Sequence, residues 1–100
     1  MPILKMNIPH HLAEEEAIKR VKDLMDRLRT NHRDQLSGVN VDWSGKTGSL
    51  QFVAKGFHIA GTIQVLPSSI DIEAKVPLIV SLYQQKIKDL IEKEAEQLFS

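Results

Sequence analysis

The feature that most constrains this 100-residue chain is a change in the repeat of its apolar residues, from every third or fourth position to every second and back again. A 3.6-residue period lays one apolar stripe along a helix, and a period of two builds one apolar face on a strand. Leu4, Met6 and Ile8 alternate with Lys5 and Asn7 as a short first strand, which Pro9 stops because it has no N–H for a ladder. From Leu12 the spacing changes to Ala13, Ala17, Val21, Leu24, Met25 and Leu28, which predicts a helix whose solvated face is Glu15, Lys19, Lys22, Asp26 and Arg29. Glu14, Glu15 and Glu16 at its start and Arg27, Arg29 and Arg33 near its end complement the helix dipole, with Gly38 read as the stop.

Beyond Gly38 the period of two runs through four strands. Val39, Val41 and Trp43 come first, and Leu50, Phe52 and Ala54 follow a turn at Ser44-Gly45-Lys46-Thr47-Gly48. Lys55-Gly56 supplies the next tight turn, with Gly56 at positive φ. Ile59, Ile63 and Val65 then lead through Leu66-Pro67-Ser68-Ser69 to Ile70, Ile72, Ala74 and Val76, a hairpin that sets Val65 opposite Ile70 and Ile63 opposite Ile72. After Pro77 the stripe Val80, Tyr83, Ile87, Leu90, Ile91 and Leu98 predicts a second long helix, backed by the pairs Lys88/Glu92 and Asp89/Lys93. The order β-α-β-β-β-β-α predicts an α+β two-layer sandwich: an antiparallel four- to five-stranded sheet covered on one face by two long helices, as a single domain over residues 1–100. Sheet order, and whether an exposed edge pairs with a second copy as a homodimer, stay open.

Charge narrows the function. Thirteen Lys+Arg balance 13 Asp+Glu, which removes the electrostatic argument for a nucleic-acid partner. Residues 39–80 carry only six of these 26 charges, so most of the charge sits outside the sheet segment. The absence of cysteine excludes disulfides, thiolate zinc sites and Cys nucleophiles. No transmembrane segment is expected, since the uncharged stretch Gly56 to Ile70 is too short and is broken by His58, Gly61 and Pro67. Met1 to Leu12 lacks the apolar run of a signal peptide, so a cytoplasmic location is expected.

Few residues suggest chemistry. Gly45-Lys46-Thr47 resembles the tail of a phosphate loop, but the leading Gly is replaced by Asn40 and no helix follows, so a hairpin turn is the better reading. His10/Glu14 and His11/Glu15 have spacings that metal ligands can use, yet they define no closed set and the acids already serve the helix dipole. His58 is placed on the outer sheet face near Thr62, Asp71, Glu73 and Lys75, where a solvated polar face is favoured over acid–base work with Glu73. No catalytic residue, cofactor or metal is expected, and the chain is read as a non-enzyme. Two apolar features remain. The layer lined by Phe52, Ile63, Ile72, Tyr83, Ile87 and Leu90 could open to hold a hydroxyacyl or fatty-acyl chain, although a filled core is favoured. The run Val76 to Tyr83 is apolar almost all round, which marks Leu78, Ile79 and Leu82 as a possible interaction surface.

Ile8-Pro9-His10-His11-Leu12, followed by Glu16-Ala17 and a charged helix, resembles the His-x-Leu…Glu-Ala signature of the polyhydroxyalkanoic acid system proteins. Trp43, Leu50-Gln51-Phe52, Gly56, Gly61-Thr62-Ile63-Gln64-Val65, Ile70-Asp71-Ile72 and a Pro-initiated last helix follow that family's order across nearly the whole chain. The resemblance implies an accessory protein of polyhydroxyalkanoate storage granules, with a protein or the granule surface as partner and no catalytic residues. His10, Leu12, Trp43 and Gly61 match the pattern, and their structural explanations are chain arrival, helix packing, core filling and close backbone approach, in that order. Ala13 stands where the family often has Ser, Thr or Gly, which removes the expected N-cap.

Overall fold

A computed structural model describes residues 2–99, so Met1 and Ser100, the ends of the expected 1–100 domain, lie outside the described residues. The elements are β1 (Ile3–Pro9), α1 (Glu14–Asn31), β2 (Leu36–Ser44), β3 (Thr47–Ala54), β4 (Phe57–Val65), β5 (Ser69–Lys75), α2 (Leu78–Ser81) and α3 (Gln84–Phe99). All strands pair antiparallel in the order β1-β5-β4-β3-β2, an open five-stranded sheet. The first strand, separated from the others by α1, therefore lies beside β5.

The period of two fixes which face of this sheet is covered. Leu4, Met6 and Ile8 of β1, Leu50 and Phe52 of β3, Ile59 and Ile63 of β4, and Ile70 and Ile72 of β5 all point to one buried face. Ile63 opposes Ile72 and Val65 opposes Ile70, as the spacing required. Across that face α1 packs over β2 and reaches β4, while α3 packs over β1 and against α1. From α1 it is Ala17, Val21, Leu24, Met25 and Leu28 that are buried, the stripe expected from the sequence. Ala13 occupies the N-cap position without a side-chain hydrogen bond.

Gly38 does not end α1. The helix stops at Asn31, and the Gln35 and Leu36 N–H groups both bond to the His32 carbonyl, so the strand starts at Leu36. Gly38, at φ 59°, lies inside β2 where the pairing slips between Ser37 and Asn40. This bulge supplies one extra residue, and its consequence is that Leu36 and Val39 both face the core. At the next turn Lys55 and Gly56 both have positive φ, 54° and 80°, the pattern of a type I′ hairpin.

Two strand glycines are required by close approach. Gly48 pairs with Trp43, and a Cβ on it would come 2.6 Å from Val41 Cγ1 and 3.4 Å from the indole; the half-buried Trp43 ring thus covers a gap that Gly48 leaves. Gly61 pairs with Ala74 between β4 and β5, where a Cβ would collide with the Glu73 carbonyl oxygen and lie 2.8 Å from the Ala74 Cβ.

The last helix is divided. Tyr83 N–H bonds to the Val80 carbonyl three residues back, and the four-residue ladder restarts with Ile87 N–H to Tyr83. Ser81 Oγ donates to the Leu78 carbonyl at 2.6 Å, a local bond that competes with a continuing helix. Val80, Ile87, Leu90, Ile91 and Leu98 stay on the buried stripe, but the break turns Tyr83 outward, so it does not join the helix–sheet layer. The expected pair Asp89/Lys93 is replaced by Gln85 Nε2 donating to Asp89 at 2.8 Å.

Gly61→Ala should force β4 and β5 apart in the middle of the sheet and lower stability by about 2–3 kcal/mol. Urea unfolding measures this, and an unchanged midpoint would show that the two strands separate there without cost.

Candidate interaction surface

Pro77 leaves β5 in an extended conformation and starts α2 without a side-chain cap. In a four-residue helix that buries only Val80, the remaining apolar residues have no inner face to occupy. Leu78 is 72% exposed, Ile79 55%, Leu82 76% and Tyr83 43%. The β3–β4 turn lies alongside, because Lys55 Nζ stands 4.3 Å from the centroid of the Tyr83 ring, and Phe57 just after that turn is also exposed. Isolated exposed leucines are ordinary, but this many large apolar side chains at one end of a sheet form a patch of the kind that contacts other surfaces.

Among the described residues two polar side chains are buried, and neither belongs to that patch. The parity of β1 carries past Pro9, so His10 follows Leu4, Met6 and Ile8 into the core. Its Nε2 donates to the Leu66 carbonyl at 2.8 Å, while Nδ1 accepts the Leu12 N–H at 3.1 Å. The neutral imidazole protonated on Nε2 is the tautomer that satisfies both bonds. The backbone adds His10 N–H to Ser68 O at 3.0 Å, and the Phe99 ring lies 6.5 Å away, tilted. His10 and Leu12 thus form one hydrogen-bonded unit that ties the arrival of α1 to the β4–β5 turn. With both ring nitrogens engaged in this way, His10 is not oriented to share a ligand with Glu14.

The second buried group, Glu94, and its partners Asn31 and His32 carried no expectation from the sequence. It occupies the apolar stripe of α3, between Ile91 and Leu98. Asn31 Nδ2 and His32 Nε2 at the end of α1 donate to its Oε2 at 3.2 and 3.1 Å, and the Arg27 guanidinium lies 3.8 Å from Oε1. Burial alone would raise the carboxyl; the hydrogen bonds from Asn31 and His32, with the charges of His32 and Arg27, outweigh it and hold Glu94 below the usual carboxylate range. Arg27 also donates to Gln97 at 2.6 Å, and Arg20, paired with Glu16, donates to the Leu98 carbonyl at 2.8 Å. These contacts clamp α1 to α3; they open onto no shared cleft.

The remaining expected sites separate. His58 pairs with Val53 and lies two residues past Ala60, the last β4 position paired to β5, whereas Glu73 faces Thr62. At the rise of a strand that sets His58 roughly 13 Å along the sheet from Glu73, which is instead ion-paired to Lys5 at 3.3 Å. Gly45 and Lys46 form a two-residue turn between paired Ser44 and Thr47, and Lys46 meets Glu14 at 3.4 Å. Phe52, Ile63, Ile72, Ile87 and Leu90 belong to one continuous buried cluster, from which Tyr83 is absent. Two open crevices on the surface are lined by other residues, one of about 290 Å³ by Ile8, Pro9, Ala95 and Phe99 and another of about 310 Å³ by Met25, Arg29, Val41 and Trp43. Among the described residues no helix is long and apolar enough to cross a membrane.

The model of a protein family described as "Putative polyhydroxyalkanoic acid system protein" matches residues 4–99. No curated protein and no solved structure matches the chain.

His10→Phe keeps the ring but leaves the Leu66 carbonyl and Leu12 N–H without partners, and should cost about 2–4 kcal/mol in urea unfolding. Wild-type stability in that variant would mean that packing alone explains His10. Glu94→Gln should cost about 1–2 kcal/mol at neutral pH. Because the folded-state value of Glu94 is lowered from 4.5, this deficit is full above about pH 4.5 and closes as the pH falls through the lowered value. Unfolding midpoints from pH 7 to pH 3 measure it, and a pH-independent gap would count against the assignment.

Proposed function

The chain belongs to the polyhydroxyalkanoic acid system protein family, and from that membership we propose that it is a non-catalytic, cytoplasmic accessory protein that acts by contact with the surface of polyhydroxyalkanoate granules. The observation that carries this reading is the exposure of Leu78, Ile79 and Leu82, each more than half open to solvent within a five-residue stretch. None of the three supports the fold from where it stands. Val80 alone anchors α2 to the core, so its neighbours are free to bury against an external apolar surface. Transfer of a Leu or Ile side chain out of water contributes about 1.5–3 kcal/mol, and three of them side by side supply a useful affinity for a polyester surface even after the cost of immobilising the protein.

The candidate acid–base pair His58 and Glu73 is separated along the sheet and Glu73 is engaged by Lys5, which supports the non-catalytic part of the reading. The buried histidine and glutamate are both occupied by structural hydrogen bonds. Both observations favour contact between surfaces as the mode of action.

The test is co-sedimentation with isolated granules. The double variant Leu78→Asp, Leu82→Asp should keep the wild-type circular dichroism spectrum and bind at least about tenfold more weakly, the loss expected from two buried leucines. Unchanged granule binding by that folded variant overturns the proposal. Binding to native granules that disappears when they are stripped of protein would move the contact from the granule to one of its proteins.

A further inference from the structure

The apolar tip is not surrounded by a neutral rim. Residues 74–88 include Lys75, Lys86 and Lys88 and no Asp or Glu, in a chain whose total charge is zero. A fourth cation, Lys55, is brought in from the β3–β4 turn and stands over Tyr83. The nearest acids in sequence are accounted for: Glu73 is paired with Lys5 and Asp89 is hydrogen-bonded to Gln85. Lys75 and Lys86 are exposed and Lys88 is half-buried. Apolar side chains flanked along the chain by lysines, with Lys55 brought over Tyr83, suit a segment that lies in a lipid interface, where long lysine stems run along apolar groups and their ammonium ends stay at the level of the headgroups. Tyr83, with a ring under a lysine and a hydroxyl available to water, suits the same boundary.

We propose that this tip seats on an anionic lipid surface, with Leu78, Ile79 and Leu82 inserted among the acyl chains and Lys55, Lys75, Lys86 and Lys88 against the headgroups. The proposal rests on the granule-surface reading above and names the chemistry of that surface. A neutral polyester would engage the leucines but leave the four lysines without partners, and a zwitterionic lipid would do little better. Anionic headgroups engage both parts of the tip, and their attraction falls off within a Debye length, so the binding must weaken as salt is added.

Vesicle co-sedimentation with the full chain tests it, using phosphatidylcholine alone, phosphatidylcholine mixed equally with phosphatidylglycerol, and lipid-free polyester particles as three separate arms. The expected result is at least about tenfold tighter binding to the anionic vesicles than to the zwitterionic ones at low salt. Leu78→Asp, Leu82→Asp should abolish that binding, and Lys55→Gln, Lys86→Gln should weaken it about tenfold with the fold intact by circular dichroism. Equal binding to both vesicle types, or anionic binding that survives the leucine substitutions, overturns the proposal. Binding to bare polyester without binding to vesicles overturns the lipid inference and leaves the granule-surface reading standing. Failure on all three arms overturns both.

Discussion

The buried imidazole of His10 is the interaction on which the arrangement of the layers depends. β1 is the first element of the chain but lies at the edge beside β5, and α1 must cross from there to reach β2 at the opposite edge. That crossing begins at residues 10–13, where Ala13 offers no side-chain cap to the first turn of the helix. His10 replaces what is missing. One nitrogen holds Leu12 and the other holds Leu66, while its own N–H holds Ser68, so the end of β1, the approach to α1 and the β4–β5 turn are fixed relative to one another by a single residue. A Gln or Asn could make one of those bonds; a ring with a donor and an acceptor on opposite sides makes both at once. The His-x-Leu pattern at residues 10–12 is therefore the sequence trace of a hydrogen-bonded corner.

The other end of the helix layer is held around a buried carboxylate. Glu94 lies where a leucine would complete the α3 stripe, and the polar end of α1 is folded around it through Asn31, His32 and Arg27. Replacing such a cluster by apolar side chains is often neutral for stability, so its contribution is better described as directional: an apolar contact tolerates sliding, whereas a carboxylate with two hydrogen-bond donors and a guanidinium nearby fixes where α1 meets α3. Together His10 and Glu94 tie α1 at its approach and its end.

Much of this was legible in the sequence, and the failures have physical causes. Alternation identified the inward rows of four strands and the Ile63/Ile72 register, because a one-residue slip would turn every apolar side chain to water. The same alternation, extended by one step from Ile8, points to a buried His10; reading Pro9 as a full stop concealed it. Glu94 carried a signal too, an acid at i+3 from Ile91 and i−4 from Leu98 on an apolar face, but a charged residue within a charged helix attracts no notice until a partner helix is placed beside it. Gly38 was misread because a helix stop and a strand bulge both need a residue at positive φ, and only the pairing of Ser37 and Asn40 with β3 distinguishes them. The position of His58 depended on where β5 ends relative to β4, which is a matter of register and of strand length together.

The division of the last helix decides the surface of the molecule. A continuous helix from Pro77 would keep Tyr83 in line with Val80 and Ile87, on the buried stripe, and would leave one fewer apolar side chain outside. Shortening the bond at Tyr83 to a three-residue step breaks that line, and the Ser81 hydroxyl supports the break by taking up the Leu78 carbonyl. The packed layer gains nothing from this, since its contacts resume only at Ile87, and Tyr83 joins three aliphatic side chains that lie off the Val80 stripe in water. Polar residues at 78, 79 and 82 would serve the fold equally well and would remove an aggregation hazard. Exposed leucines that the core does not need, placed near lysines that form no ion pair with a carboxylate among the described residues, fit the contact proposed above, and their position beyond the end of β5 would leave the polar outer face of the sheet free of that contact.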